Sequence, residues 1–83
     1  DIVVHSCTKY IGGHSDVMGG VVVVKDPCHI QLLRSSLSTM GAVMSPFDCY
    51  LATRGLRTLS VRMKKHSENA MKVAEYLQSH AQV

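Results

Sequence analysis

The hydrophobic positions begin as two short apolar runs separated by a polar loop. Residues 2–4 and 21–24 are β-branched, and no polar residue alternates with them. Uninterrupted runs of this kind are typical of strands that are covered on both faces. The segment between them, residues 6–20, is polar and rich in glycine, and loops of that length are usually functional. We therefore expect strand, functional loop and strand, with covering layers that 83 residues cannot all supply.

The remainder of the chain has the spacing and the end signals of helices. Asp26 followed by Pro27 suits the start of a helix, and Gly41 suits its end. Ser45 and Asp48 repeat the start signal, and Gly55 is expected to end or kink the second helix. Beyond it, apolar positions recur in steps of three and four along one helical face: Leu56, Leu59, Met63, His66, Ala70, Val73 and Leu77. The predicted class is α/β, with helices over residues 27–55 and a long helix over residues 56–80.

Composition excludes several classes of function. The net charge of +3 is too small to indicate nucleic-acid binding, and no apolar run approaches the roughly 20 residues of a membrane span. Three cysteines without paired spacing predict reduced thiols and a cytoplasmic protein. The histidines and cysteines lack the spacing of zinc ligands, so no metal site is expected. The first strand begins at residue 2, and we expect the chain to be a piece of a larger protein.

Several other polar side chains have structural roles in this interpretation. Cys7 is expected to be a packing residue, His14 to hold the loop by hydrogen bonds, and His66 to lie in a core or an interface. The basic residues of the last segments are expected to form a solvated face or subunit contacts, since helical spacing scatters them around the axis: Arg54, Arg57, Arg62, Lys64 and Lys65.

The candidate chemistry lies at the end of the first strand, in Ser6-Cys7-Thr8-Lys9. Ligands of open α/β sheets bind at the carboxyl ends of strands. A lysine desolvated there has a lowered pKa and becomes an amine nucleophile of the type that forms Schiff bases. Ser6 and Thr8 alternate along an extended chain, so both hydroxyls are expected on one side, where they can donate to a phosphate. The residues alone leave an ordinary solvated surface lysine as the alternative.

Residues 1–15 resemble the pyridoxal-phosphate attachment signature of the Cys/Met-metabolism, or trans-sulfuration, enzymes. That signature has an acid, an aliphatic residue, three free positions, two small residues, Thr-Lys, an aromatic, an aliphatic, a free position and Gly-His-Ser. The chain meets every position, from Asp1 through Thr8-Lys9-Tyr10 to Gly13-His14-Ser15. Residues 41–43, 45–51, 54–59 and 62–63 are also similar to the segment that follows the signature in this family.

The resemblance implies a fold, a cofactor and three site residues. Residues 1–83 would be part of the pyridoxal 5'-phosphate-binding large domain of a fold-type I enzyme, like that of aspartate aminotransferase. Residues 1–25 would form the strand-loop-strand unit, and the helix over 56–80 would lead towards a C-terminal domain. Lys9 would be the Schiff-base lysine and proton shuttle, while Ser6 and Thr8 would bind the cofactor phosphate.

The resemblance also implies an activity and an assembly. Residues 45–51 favour the branch of the family that eliminates the γ substituent of cystathionine, giving cysteine, 2-oxobutanoate and ammonia. Cystathionine γ-synthase, methionine γ-lyase and cystathionine β-lyase remain alternatives. The implied partners are a sulfur amino acid as substrate and further copies of the chain in a homotetramer, with neither nucleic acid nor membrane. An alternative of another class is a truncated, non-catalytic fragment.

Overall fold

The computed structural model describes residues 1–83, and its only sheet is a pair of antiparallel strands. Strand β1 (Ile2–Ser6) pairs with β2 (Gly20–Val24), with Ile2 opposite Val24 and Ser6 opposite Gly20. Beyond the last pair, the Cys7 amide donates to the Gly19 carbonyl at 2.8 Å. The pairing therefore closes residues 7–19 into a loop whose two ends lie side by side.

The loop opens with a single turn of π-helix over Cys7–Ile11, which we call the lysine turn. The amide of Gly12 donates to the Cys7 carbonyl, five residues back, at 2.8 Å, and the amide of Gly13 donates to the Lys9 carbonyl at the same distance. The backbone of Lys9 itself is not helical, with φ −95° and ψ −120°. π-Helical turns of this kind are frequent at functional sites.

Three helices follow: α1 (Cys28–Met40), α2 (Pro46–Leu56) and α3 (Leu59–Gln78). The predicted end signals of α1 are confirmed. The Asp26 carboxylate accepts the Cys28 amide at 2.9 Å, and Gly41 closes the helix at φ +71°. The start of α2 is confirmed as well, because the Ser45 hydroxyl accepts the Asp48 amide at 3.1 Å and donates to the Asp48 carboxylate at 2.6 Å.

The junction of α2 and α3 differs from the expected one. Gly55 lies inside the last turn of α2, which continues to Leu56, and α3 begins at Leu59 after a two-residue break. The apolar stripe of the long helix therefore starts at Leu59, and Leu56 belongs to α2. The glycine at position 55 is explained by packing rather than by helix termination, since α2 approaches the loop backbone at this residue.

The buried residues are few and lie at one place. They come from the lysine turn, its loop and α2: Cys7, Gly12, Val17, Ala52 and Gly55. Both strands are largely exposed, and α3 has no buried residue. The radius of gyration is 17.4 Å, whereas a compact domain of this length has about 12 Å. The covering layers expected for the strands are thus absent from residues 1–83, and the loop provides the only core.

Candidate functional site

Lys9 lies in the middle of the lysine turn with its side chain exposed. Its Nζ atom makes no hydrogen bond and no ion pair. The one ion pair of the structure joins Lys65 and Glu68. The hydrogen bonds of the turn therefore do not use the Lys9 side chain, and its amine is free to react. The desolvation expected from the sequence is not supplied by residues 1–83.

Ser6 and Thr8 flank the start of the turn in different backbone conformations. Ser6 is the last residue of β1, and its hydroxyl makes no hydrogen bond. The hydroxyl of Thr8 accepts the Gly19 amide at 3.1 Å and lies 3.5 Å from the Gly19 carbonyl. The argument from alternation along an extended chain is wrong at Thr8, because the chain leaves the extended conformation at Cys7. The contact at 3.5 Å is too long to occupy the hydroxyl proton, which remains available to a ligand.

The rest of the loop is fixed by backbone geometry and by one histidine. The Nδ1 atom of His14 lies 2.8 Å from the Gly12 carbonyl, and since a carbonyl only accepts, the ring nitrogen is the donor. His14 therefore holds the loop as expected. The side chain of Cys7 is buried, as expected of a packing residue, and the cysteines at 7, 28 and 49 are free.

Arg62 of α3 is the residue that the sequence reasoning missed. Its guanidinium donates to the Tyr10 carbonyl at 2.8 Å, the Gly55 carbonyl at 2.8 Å and the Thr58 hydroxyl at 3.0 Å. The interpretation of Arg62 as part of a solvated or intersubunit basic face is therefore wrong, and it is an intrachain clamp. No local pattern marks it, because 52 residues separate it from Tyr10.

His66, one turn beyond Arg62, also meets the lysine turn. Its ring lies edge-on to the ring of Tyr10, with a centroid distance of 5.3 Å and an interplanar angle of 65°. Both side chains are exposed. His66, expected to lie in a core or an interface, is thus outside the core of residues 1–83 and contacts the exposed ring of Tyr10.

One open depression brings these groups together. Its lining includes side chains from the turn, the loop and two helices: Thr8, Lys9, Ser15, Asp48, Arg62 and His66. Ser6 does not line this depression, whereas Thr8 and Lys9 do. A free amine can bind an aldehyde covalently, and a hydroxyl such as that of Thr8 is a suitable donor to a phosphate. The chemistry of this donor set therefore fits a small phosphorylated aldehyde.

A second group of polar side chains lies at the start of α1. Ligand atoms of Asp26, Cys28 and His29 all lie within 4.8 Å of one another, although none of the three residues is buried. Hydrogen bonds from Cys28, first of all from its backbone amide, hold the pKa of the Asp26 carboxyl below its ordinary value of 3.8. Because that carboxylate accepts the Cys28 amide, its role in the structure is to cap α1.

No helix of the three combines the length and the apolar composition that crossing a membrane requires.

Comparison with known proteins matches the chain over its whole length. Among curated relatives, cystathionine γ-synthase of Mycobacterium leprae (strain TN) is 54% identical over 83 residues, which are 100% of this chain and 21% of that protein. Cystathionine β-lyase of Coxiella burnetii is 48% identical over 84 residues, 100% of this chain and 22% of that protein. Cystathionine γ-lyase of Sus scrofa is 52% identical over 80 residues, 96% of this chain and 20% of that protein. The chain thus spans about a fifth of the length of these relatives.

The fold agrees with the same group of proteins. The crystal structure of cystathionine γ-lyase from Lactobacillus plantarum complexed with L-serine superposes with a TM-score of 0.94 at 43% identity, over 98% of this chain and 21% of that one. The family described as Cys/Met metabolism PLP-dependent enzymes matches residues 1–83. This chain, with an α/β fold typical of part of a fold-type I enzyme, therefore belongs to the Cys/Met metabolism family of pyridoxal-phosphate-dependent enzymes.

Proposed function

We propose that the protein containing this chain is a trans-sulfuration lyase and that Lys9 is its cofactor-attachment lysine. The observation that carries the proposal is the free amine of Lys9, presented by a turn whose hydrogen bonds do not involve the Lys9 side chain. The family uses pyridoxal phosphate, which has the aldehyde and the phosphate that this donor set fits. Lys9 would hold the cofactor covalently, and the hydroxyls of Ser6 and Thr8 would donate to its phosphate.

The bound cofactor supplies an electron sink for charge that develops on substrate carbons. The chain's own contribution is proton transfer and binding. The Lys9 amine would take a proton from the α carbon of the substrate and move protons to and from the β carbon. Two backbone bonds hold the turn around it, from the Gly12 amide to the Cys7 carbonyl and from the Gly13 amide to the Lys9 carbonyl.

The reaction we propose is the γ-elimination of cystathionine, in which cystathionine and water give cysteine, 2-oxobutanoate and ammonia. Residues 45–51 support it through their resemblance to cystathionine γ-lyases. Identity does not separate the alternatives, because the γ-synthase, γ-lyase and β-lyase relatives are 54%, 52% and 48% identical. Product analysis of the complete protein decides: cysteine with 2-oxobutanoate supports γ-elimination, whereas homocysteine with pyruvate identifies a β-lyase. Release of methanethiol from methionine would identify a methionine γ-lyase.

The site assignment is tested by borohydride reduction and peptide mapping of the complete protein. We expect the reduced cofactor on Lys9, and the label should persist in a Lys25→Ala control, which removes an exposed lysine at the end of β2. Replacing Ser6 and Thr8 together with Ala should weaken cofactor binding by roughly 3 kcal/mol or more, since each bond to a charged group contributes about 1.5–3 kcal/mol. A label on any other lysine, or unchanged cofactor affinity in the double variant, contradicts the respective role.

We also propose that the protein is cytoplasmic and forms a homotetramer. The free cysteines support the location. The uncovered apolar residues of the long helix, such as Met71, Val73 and Tyr76, support burial against further protein. Sedimentation of the complete protein tests the assembly, and an active monomer that keeps its cofactor on dilution would contradict it.

A further inference from the structure

Arg62 connects the junction of α2 and α3 to the lysine turn, where Tyr10 lies 52 residues earlier in the chain. It bonds to Tyr10 in the lysine turn, Gly55 in the last turn of α2 and Thr58 just before α3, and its Nη2 atom also lies 3.4 Å from the Ile11 carbonyl. The four acceptors surround one planar group. We propose that Arg62 is a positioning residue that fixes the direction in which the backbone presents Lys9; the inference rests on the proposed role of Lys9.

The guanidinium of Arg62 is held by neutral acceptors rather than by a carboxylate. The side chain is half-buried and forms no ion pair. Its acceptors are three carbonyls and a hydroxyl. The Gly55 carbonyl, which also accepts the Thr58 amide at 3.2 Å, belongs to the C-terminal turn of α2, where a positive charge is favoured. The guanidinium therefore satisfies backbone groups of α2 and of the lysine turn at the same time.

Two glycines make room for this arrangement. A side chain at Gly13 would place its Cβ against the guanidinium, 2.7 Å from Arg62 Cζ, and Gly13 also has φ +77°. A Cβ at Gly55 would meet the Ile11 carbonyl and lie 2.5 Å from the Gly12 carbonyl. Gly13 thus lets the loop backbone approach the guanidinium, and Gly55 lets α2 approach the loop backbone.

The clamp acts on the residue next to Lys9. The Lys9 carbonyl is held by the Gly13 amide at 2.8 Å, and the next carbonyl, of Tyr10, is held by Arg62 at the same distance. Because the Lys9 backbone is not helical, the π-helical bonding alone does not set its direction. Loss of the Arg62 bond would let the peptide plane between Tyr10 and Ile11 rotate, and the Lys9 side chain would move with it.

The test compares Arg62→Lys with Arg57→Lys in the complete protein. Lys at 62 keeps the charge but cannot bridge four acceptors in one plane. Arg57 is exposed, and its side chain makes no hydrogen bond, so it serves as the matched control. Amide hydrogen exchange at Gly12 and Gly13 of the cofactor-free protein reports on the turn directly. Thermal unfolding and kcat of the loaded enzyme are measured beside it.

We expect Arg62→Lys to accelerate exchange at Gly12 and Gly13 by about tenfold and to lower kcat by about 10- to 100-fold, the effect of a misplacement near 1 Å. Exchange in β1 and the KM should change little, and Arg57→Lys should match the parent protein. Unchanged exchange at the turn, or a loss of kcat that follows a uniform loss of folded protein, would overturn the role.

Two further results separate this inference from the proposed function. If Arg62→Lys does not fold, Thr58→Val removes the acceptor of Nε, together with the hydroxyl's own bond to the Gly55 carbonyl at 3.3 Å, and should give the same pattern at smaller amplitude. A silent Thr58→Val variant with normal turn exchange then counts against the clamp. If the borohydride label falls on another lysine while the turn still loosens in Arg62→Lys, the function of Lys9 is wrong and the positioning of its turn stands. Normal labelling of Lys9 with an unaltered turn in Arg62→Lys supports the function of Lys9 and overturns the clamp.

Discussion

Replacing Gly55 with Ala is the sharpest test of how α2 and the lysine turn fit together. Two effects oppose each other at this position. Ala is favoured over Gly inside a helix by about 0.8–1.0 kcal/mol, and Gly55 lies within α2. Against that gain, the added Cβ would meet the Ile11 carbonyl oxygen and lie 2.5 Å from the Gly12 carbonyl oxygen and 3.1 Å from its carbon.

The steric effect should dominate. The atoms in the way belong to the backbone of a loop that is held by the Cys7 and Lys9 carbonyls, so no flexible side chain can give way. Overpacking of this kind costs about 1–3 kcal/mol, and the upper part of that range applies where backbone must move. Subtracting the helix gain leaves a net loss of about 1–2 kcal/mol. The displaced loop would also carry the Tyr10 and Ile11 carbonyls away from Arg62.

Gly41→Ala is the matched control. A Cβ at Gly41 would meet no atom within 4 Å, but the residue has φ +71°, so the substitution costs about 1–2 kcal/mol through backbone conformation alone. Chemical denaturation of the complete protein should show similar losses of stability for both variants. Cofactor affinity, followed by visible absorption, should fall only for Gly55→Ala. Equal cofactor affinity in the two variants would refute the argument that α2 shapes the lysine turn through this glycine.

Two further predictions concern the isolated parts. In a peptide of residues 24–42 with blocked ends, Asp26 is the only acid. The pKa of its carboxyl is lowered when α1 is folded. The stability that the Asp26 carboxylate gives to α1 is therefore complete above pH 3.8 and is lost as the pH falls through the lowered pKa. Circular dichroism should show a loss of helix content in acid. The Asp26→Asn peptide, whose side chain caps the helix without titrating, should not show this acid dependence. An equal decrease of helix content in the Asn peptide contradicts the cap. Residues 1–83 expressed alone should neither unfold cooperatively nor bind pyridoxal phosphate, since only 5 of 83 residues are buried; a cooperatively melting monomer would refute this.

Local signals predict those parts of the fold that depend on neighbouring residues. The cap at Asp26, the left-handed glycine at position 41 and the start of α2 at Ser45 each use hydrogen bonds within four residues. Such bonds depend on the sequence spacing itself, so they form whatever the chain packs against. The signal around Lys9 is local in the same sense, because the positions of its signature are consecutive in the sequence.

The failures share a different physical cause. Alternation across Ser6 and Thr8 requires an extended chain, but the strand ends between them because Cys7 N pairs with Gly19 O while the following residues turn into a π-helix. Gly55 resembles a helix end because Gly lowers helix propensity, whereas the structure uses it for close approach to residues 11 and 12. Both errors concern contacts between segments far apart in the chain, which single-residue preferences do not encode.

The shape of the lysine turn explains why position 62 carries an arginine. The carbonyls of Tyr10 and Ile11 point away from the backbone bonds of the lysine turn, which end on the Cys7 and Lys9 carbonyls. Backbone carbonyls that find no donor within the turn must be met by water or by another element, and here Arg62 of α3 supplies the donors. Lys carries its donors on one atom, whereas the guanidinium spreads five across a plane. The backbone geometry that exposes the Lys9 amine therefore leaves the Tyr10 and Ile11 carbonyls to be bonded by Arg62 of α3. The lysine turn and its clamp form one structural unit.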